Sequence, residues 1–131
     1  MKIALISAIA GLIVLSLSVG ASVNAATDSE PQAAIEYLLA RVADSELEFV
    51  RNGKAHLGPE AAKHMRRKYE HYADRIHSPE DFIELAGTKS ILSGQKYLVR
   101  DIDGVVSTAD WLHERLDEYR AAPGNRGTNS E

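Results

Sequence analysis

Ile35-Glu36-Tyr37-Leu38-Leu39-Ala40-Arg41-Val42-Ala43-Asp44-Ser45-Glu46-Leu47-Glu48-Phe49-Val50-Arg51-Asn52-Gly53 is the stretch on which the fold class turns. Its apolar residues Ile35, Leu38, Leu39, Val42, Phe49 and Val50 recur at the spacing that puts them on one face of a helix. Pro31 suits the first turn of that helix. Asn52-Gly53 suits its end, since both residues tolerate the left-handed conformation in which helices often stop. The stretch thus predicts one long first helix. Only Ser45 and Glu46 are polar on its apolar seam, and a carboxylate facing a core must be paired, neutral or in a cleft. The two therefore mark a candidate polar pocket. The competing account bonds the Ser45 hydroxyl back to the Arg41 carbonyl and leaves Glu46 at the seam edge with its head in water.

Downstream, Lys54 to Gly58 is a short connector, and Pro59-Glu60 open a second helix with Met65, Tyr69, Tyr72, Ala73 and Ile76 on its apolar stripe. Ser78-Pro79-Glu80-Asp81 is a start signal for a third helix: a capping hydroxyl, a proline at the first position and an acid three residues after the cap. Tyr97 to Arg100 then alternate as a strand, Asp101-Ile102-Asp103-Gly104 is turn chemistry, and Val105-Val106 return as a second strand. Ser107 or Thr108 caps a fourth helix that faces inward through Trp111, Leu112, Leu116 and Tyr119. The expected architecture is mainly α: four helices, with a short β-hairpin between helices three and four.

Upstream, residues 1–25 have the make-up of a cleavable signal peptide. Lys2 precedes an apolar run from Ile3 to Val19, and Val23-Asn24-Ala25 place small side chains ahead of a cut after Ala25. The run is somewhat shorter than the roughly 20 residues a membrane-spanning helix needs. Residues 26–30 are then expected to be an unstructured lead-in, 31–120 a single helical domain, and 121–131, rich in Gly, Pro, Asn and Ser, a disordered tail. Processing would leave no membrane span and a periplasmic protein. The chain contains no cysteine, which excludes disulfides and thiol chemistry, so packing alone must hold the domain.

The net charge is −4, and loss of Lys2 with the leader makes it −5. Arg51, Lys54, Lys63, Arg66, Arg67 and Lys68 are opposed between residues 51 and 68 only by Glu60, so an acidic chain carries one basic segment. Such a segment orients an anionic partner or serves as a solvated helix face. Export, overall acidity and the lack of interleaved aromatics argue against nucleic acid.

Several segments read in order resemble a known family. They are Ile35-Glu36-Tyr37-Leu38-Leu39; Ser45 with Phe49-Val50-Arg51-Asn52-Gly53; Glu60-Ala61-Ala62 with His64, Arg66 and Lys68; Glu80-Asp81-Phe82-Ile83; Ser93-Gly94 with Tyr97, Val99 and Arg100; Asp103-Gly104; and Trp111-Leu112 with Tyr119-Arg120. The chain is similar to the YfeK-like family of small exported proteins of Gram-negative bacteria, a domain of unknown function. A departure is Lys96, where the family pattern has a proline before the tyrosine. The resemblance implies a periplasmic location and no particular activity or cofactor.

Helix two also places Glu60, His64, Arg67, His71 and Asp74 on one stripe. The pairs Glu60–His64 and His71–Asp74 have metal-ligand spacing. Arg67 repels a cation between them, however, and His64 and His71 lie two turns, about 10 Å, apart. Asp101-x-Asp103-Gly104 resembles the start of a calcium loop, but the acid required at its twelfth position falls on Leu112. No Gly-x-Ser-x-Gly, Ser-x-x-Lys, His-Glu-x-x-His or glycine-rich phosphate motif is present. The expectation is a non-catalytic binding or protein-interaction module without a cofactor, its candidate binding residues being Ser45, Glu46, Arg51, Asn52, Lys54, His64, Arg66 and Arg100. Its possible partner is an anionic periplasmic molecule or cell-envelope component. The rivals are a small hydrolase-like enzyme using a Ser45/Glu46 pocket and a weak metal carrier through the helix-two histidines.

Overall fold

The first apolar seam is cut in two. The computed structural model describes residues 23–125, with side chains from Glu30 onward; the expected leader up to residue 22 and the tail from residue 126 lie outside the described residues. Helix α1 runs Val23–Ala43, with Pro31 inside it rather than at its first turn. It ends at Ala43, eight residues before Arg51, the last residue ahead of the expected Asn52-Gly53 stop. The amide of Ser45 bonds to the carbonyl of Val42 at 3.2 Å, a tightened last turn. The Ser45 hydroxyl accepts from the amide of Leu47 at 3.1 Å, not from its own helix, and so draws the backbone out of the helical path. Strands β1 (Glu48–Arg51) and β2 (Lys54–His56) follow. Phe49 and Val50, placed above at the end of helix one, belong to β1, and the supposed connector is largely β2.

Asn52 and Gly53 are the reason. Arg51 pairs with Lys54, leaving a two-residue loop with φ of +52° and +75°. Positive φ at both central residues defines the type I′ turn whose twist matches a β-hairpin. The same Asn-Gly that can end a helix here reverses a strand.

Helix α2 spans Gly58–His71, a 3₁₀ turn Ala73–Arg75 follows, and α3 spans Pro79–Ala86. The Ser78 hydroxyl caps α3 by accepting from the Asp81 amide at 3.1 Å, and the Asp81 carboxylate accepts from the His77 amide at 3.0 Å, a reciprocal start of the kind the sequence predicts. β3 (Leu98–Asp101) and β4 (Gly104–Ser107) form the expected second hairpin, and Ser107 caps α4 (Thr108–Ala121). The two hairpins join through β1 and β3 into one antiparallel sheet of order β2-β1-β3-β4. The fold therefore has four helices and a four-stranded sheet instead of a lone hairpin.

Phe82, Leu38, Leu112, Leu116, Ile35 and Ile83 form the centre of the core, each almost fully buried. The sheet turns Phe49 and Val99 inward, and Phe49 meets Trp111 of α4 edge-on at 5.6 Å. Burying a side chain of that size stabilises by about 1.5–3 kcal/mol. Alternation from Tyr97 into β3 buries Tyr97 and Val99 and exposes Arg100.

Candidate anion-binding cleft

The type I′ turn sets Arg51 and Lys54 side by side at one end of the sheet. α2 begins four residues later, and helical periodicity turns Glu60, His64 and Lys68 toward that end. The segment 88–96 closes the opposite side. It is held by bonds from the Tyr97 amide to the Thr88 carbonyl and from the Ser90 amide to the Gln95 carbonyl, each 2.9 Å. The Ser93 hydroxyl reaches across to the side-chain oxygen of Asn52 at 2.5 Å. Between these walls lies an open cleft of about 630 Å³, with Ile91 and Leu92 at its lip.

A chain of polar contacts runs through the cleft. A guanidinium nitrogen of Arg51 meets Nδ1 of His64. Arginine only donates, which assigns Nδ1 as acceptor and places the proton of the neutral ring on Nε2. His64 is neutral at physiological pH: burial first, then the charges of Arg51, Lys68 and Arg67, bring its pKa down to about 4. Its Nε2–H donates to the Tyr97 hydroxyl at 3.2 Å. Nζ of Lys68 donates to the same hydroxyl at 3.3 Å and to the carbonyl of Lys89 at 3.0 Å. With two donors on its oxygen, Tyr97 keeps its own hydrogen to donate elsewhere. Burial raises the Tyr97 pKa, so that hydrogen stays in place, and burial followed by Arg51 lowers the pKa of Lys68. Glu60 accepts from Nδ1 of His56 at 2.8 Å, a bond that holds its carboxyl below the usual range. The one acid lining the cleft is thus already engaged. What remains is a concavity of donors and cations.

Of the expected binding residues, Arg51, Asn52, Lys54 and His64 meet in this cleft. The others lie elsewhere. Ser45 is spent on the turn after α1 and Glu46 is exposed, so the two form no pocket with a histidine. Arg66 makes a two-point pair with Glu36 of α1 at 2.7 and 2.9 Å. Arg100 pairs with Glu48 across the strands, both half-exposed. His71 packs against the ring of Tyr72, and among the described residues no group of three or more His, Asp or Glu is placed to hold a metal ion. His56, Lys68 and Tyr97 were missed as site residues. The four-residue spacing of His56 and Glu60 is visible in the sequence, but it spans the end of β2 and the start of α2, not a connector and a helix; the approach of Tyr97 to His64, 33 residues away, leaves no local signal.

Over residues 29–120 the chain matches the model of a family described as "Family of unknown function (DUF5329)". The chain belongs to this family. It is also 34% identical, over 85 residues, to "Uncharacterized protein YfeK" of Salmonella typhimurium (strain LT2), an alignment covering 65% of this chain and 68% of that one. The YfeK-like resemblance is therefore correct. No solved structure matches. The DUF5329 span encloses every residue of the cleft. No described helix is long and apolar enough to cross a membrane.

Proposed function

We propose that this protein is a non-catalytic periplasmic binding module that captures a small anion in the cleft between the first hairpin, α2 and the segment 88–96. The observation that carries this is the surplus of donors. Arg51, Lys54, Lys68 and the free hydrogen of Tyr97 face the cleft, and its one carboxylate is bonded to His56. This occurs on a chain whose net charge is −4, so the field orients an anion toward one place. The binding reading is favoured over an acid–base enzyme because both nitrogens of His64 are occupied in holding Arg51 and Tyr97. The periplasmic setting rests on the composition of residues 1–25. It predicts that protein released by osmotic shock begins at Ala26 by mass spectrometry; full-length protein retained in the cytoplasm would overturn it.

Calorimetric titration with acetate and with inorganic phosphate at low ionic strength tests the site, with acetamide as the neutral control. The charged ligands should bind and acetamide should not, and added salt should weaken binding. Arg51→Gln should lower affinity at least tenfold, about the value of one charge-assisted hydrogen bond. Arg66→Gln, outside the cleft, should not change it. Binding that is indifferent to Arg51→Gln would remove the cleft as the anion site.

A further inference from the structure

The two hairpins point in opposite directions. β1 and β3 run antiparallel, with Val50 opposite Leu98 and Glu48 opposite Arg100. The Asn52-Gly53 turn, which follows Arg51, therefore leaves the sheet at one end, and the Ile102-Asp103 turn, which follows Asp101, leaves it at the other. The first end carries Arg51 and Lys54 at the open cleft. The second carries Asp101 and Asp103, both exposed. One oxygen of Asp101 accepts from the Ile102 amide at 2.6 Å, and among the described residues neither carboxylate is in an ion pair. Each molecule thus has a basic socket and an acidic projection that its own sheet holds apart.

Apolar exposure follows the same division. The large apolar side chains open to water are Leu57, Ile91, Leu92, Ile102, Val105 and Val106. All but Leu57 lie at the cleft or on the second hairpin. Ile91 and Leu92 form the lip of the cleft, with Leu92 97% exposed. Ile102 stands between the two aspartates, 98% exposed, and Val105 and Val106 follow it on β4. Exposed apolar groups rimmed by charge mark interaction sites.

We propose that the acidic turn of one copy, Asp101-Ile102-Asp103, docks at the basic cleft of a second copy of this chain. This rests on the anion-binding function proposed above and names a source for the anion. The carboxylates meet Arg51 and Lys54 of the second copy, and Ile102 packs on its Ile91 and Leu92. Charge selects the arrangement, because unlike ends attract and like ends repel. Every copy has one projection and one socket, so the contact closes as a reciprocal pair or ring, or runs on as a chain. A free carboxylate competes for the same socket, and a small anion therefore dissolves the contact.

Sedimentation velocity of the mature protein at low ionic strength tests the docking. The average mass should rise with concentration. It should return to that of the monomer in about 1 M sodium chloride, where the screening length is about 3 Å. Saturating acetate should do the same, against chloride at equal ionic strength. Asp101→Lys with Asp103→Lys should be monomeric throughout, as should Arg51→Glu with Lys54→Glu. Mixed together, the two variants should associate again, since the intact turn of one meets the intact cleft of the other; loss of folding cannot produce that result. If the cleft variant does not fold, the wild-type series and the turn variant, whose changes lie on exposed residues, decide the matter. A wild-type protein that stays monomeric while acetate still binds overturns the docking and leaves the anion site standing. Folded variants that stay monomeric when mixed also overturn it. So does association that survives the Asp101 and Asp103 changes, or that saturating acetate does not dissolve. If acetate does not bind and the protein is monomeric, both proposals fall.

Discussion

Gly58→Ala should lower the free energy of unfolding by about 3 kcal/mol, at the upper end of what overpacking a filled site costs. Gly58 opens α2 directly beneath the C-terminal end of α1. A methyl group there would lie 2.6 Å from the Ser45 carbonyl oxygen, closer still to that of Val42, and 3.1 Å from that of Ala43. All three obstacles are backbone, so none can rotate aside. Alanine's better helix propensity returns at most about 1 kcal/mol, too little to offset the clash. The crossing of α1 and α2 would have to open, and the cleft built on α2 would shift with it. Urea denaturation with an unchanged slope and a lower midpoint is the expected record. A midpoint equal to or above wild type would show that the two helices do not meet as closely as described.

Acidification should destabilise the domain in a window set by His64. Its pKa is about 4 in the folded protein, against 6.5 for an ordinary histidine. Between these values the unfolded chain binds a proton that the folded one refuses, so stability falls as pH drops from 6.5 toward 4 and levels off below. The full shift corresponds to about 3 kcal/mol, and partial solvent access reduces the expected loss to roughly 1–2 kcal/mol. The carboxylates held low by partners, Glu36 with Arg66 and Asp81 at the α3 cap, lose their contribution only as pH falls below the ordinary carboxylate range. The two effects are therefore separable by pH. His64→Gln should flatten the unfolding free energy between pH 6.5 and pH 4.5 and leave the steeper acid limb intact. An identical slope in both proteins across that interval would mean that His64 is not the group responsible.

Much of this architecture is legible locally, and the failures have a common physical origin. The starts of α3 and α4 follow from Ser78 and Ser107, whose hydroxyls bond the backbone three residues on, and the second hairpin follows from Asp103-Gly104 between alternating residues. The first hairpin is hidden in the sequence because Phe49 and Val50 satisfy a helical period and a strand equally well. What selects the strand is the bond of the Ser45 hydroxyl to the Leu47 amide and the I′ preference of Asn52-Gly53. A first helix extended to Asn52 turns Ser45 and Glu46 toward a core they do not reach and leaves His56 in a connector instead of in β2. Half of the expected binding residues nevertheless lie in the cleft, because the basic segment 51–68 flanks a single tight turn. Tyr97 could not be placed there without the tertiary fold, since it approaches the cleft from a distant part of the chain.

The pairing of β1 with β3 also governs when the cleft exists. Glu48 and Arg100, opposite each other in that ladder, are 52 residues apart in the chain, and α2 and α3 lie in between. Contacts between distant residues form slowly, because the loop must close before they contribute. Arg51 and Lys54 can come together early, within their own hairpin. The wall opposite, with Tyr97 and the Lys68–Lys89 bond, is complete only when the ladder has closed. A ligand bridging both walls would therefore select finished molecules over partly folded ones, and its presence should slow unfolding far more than it hastens folding.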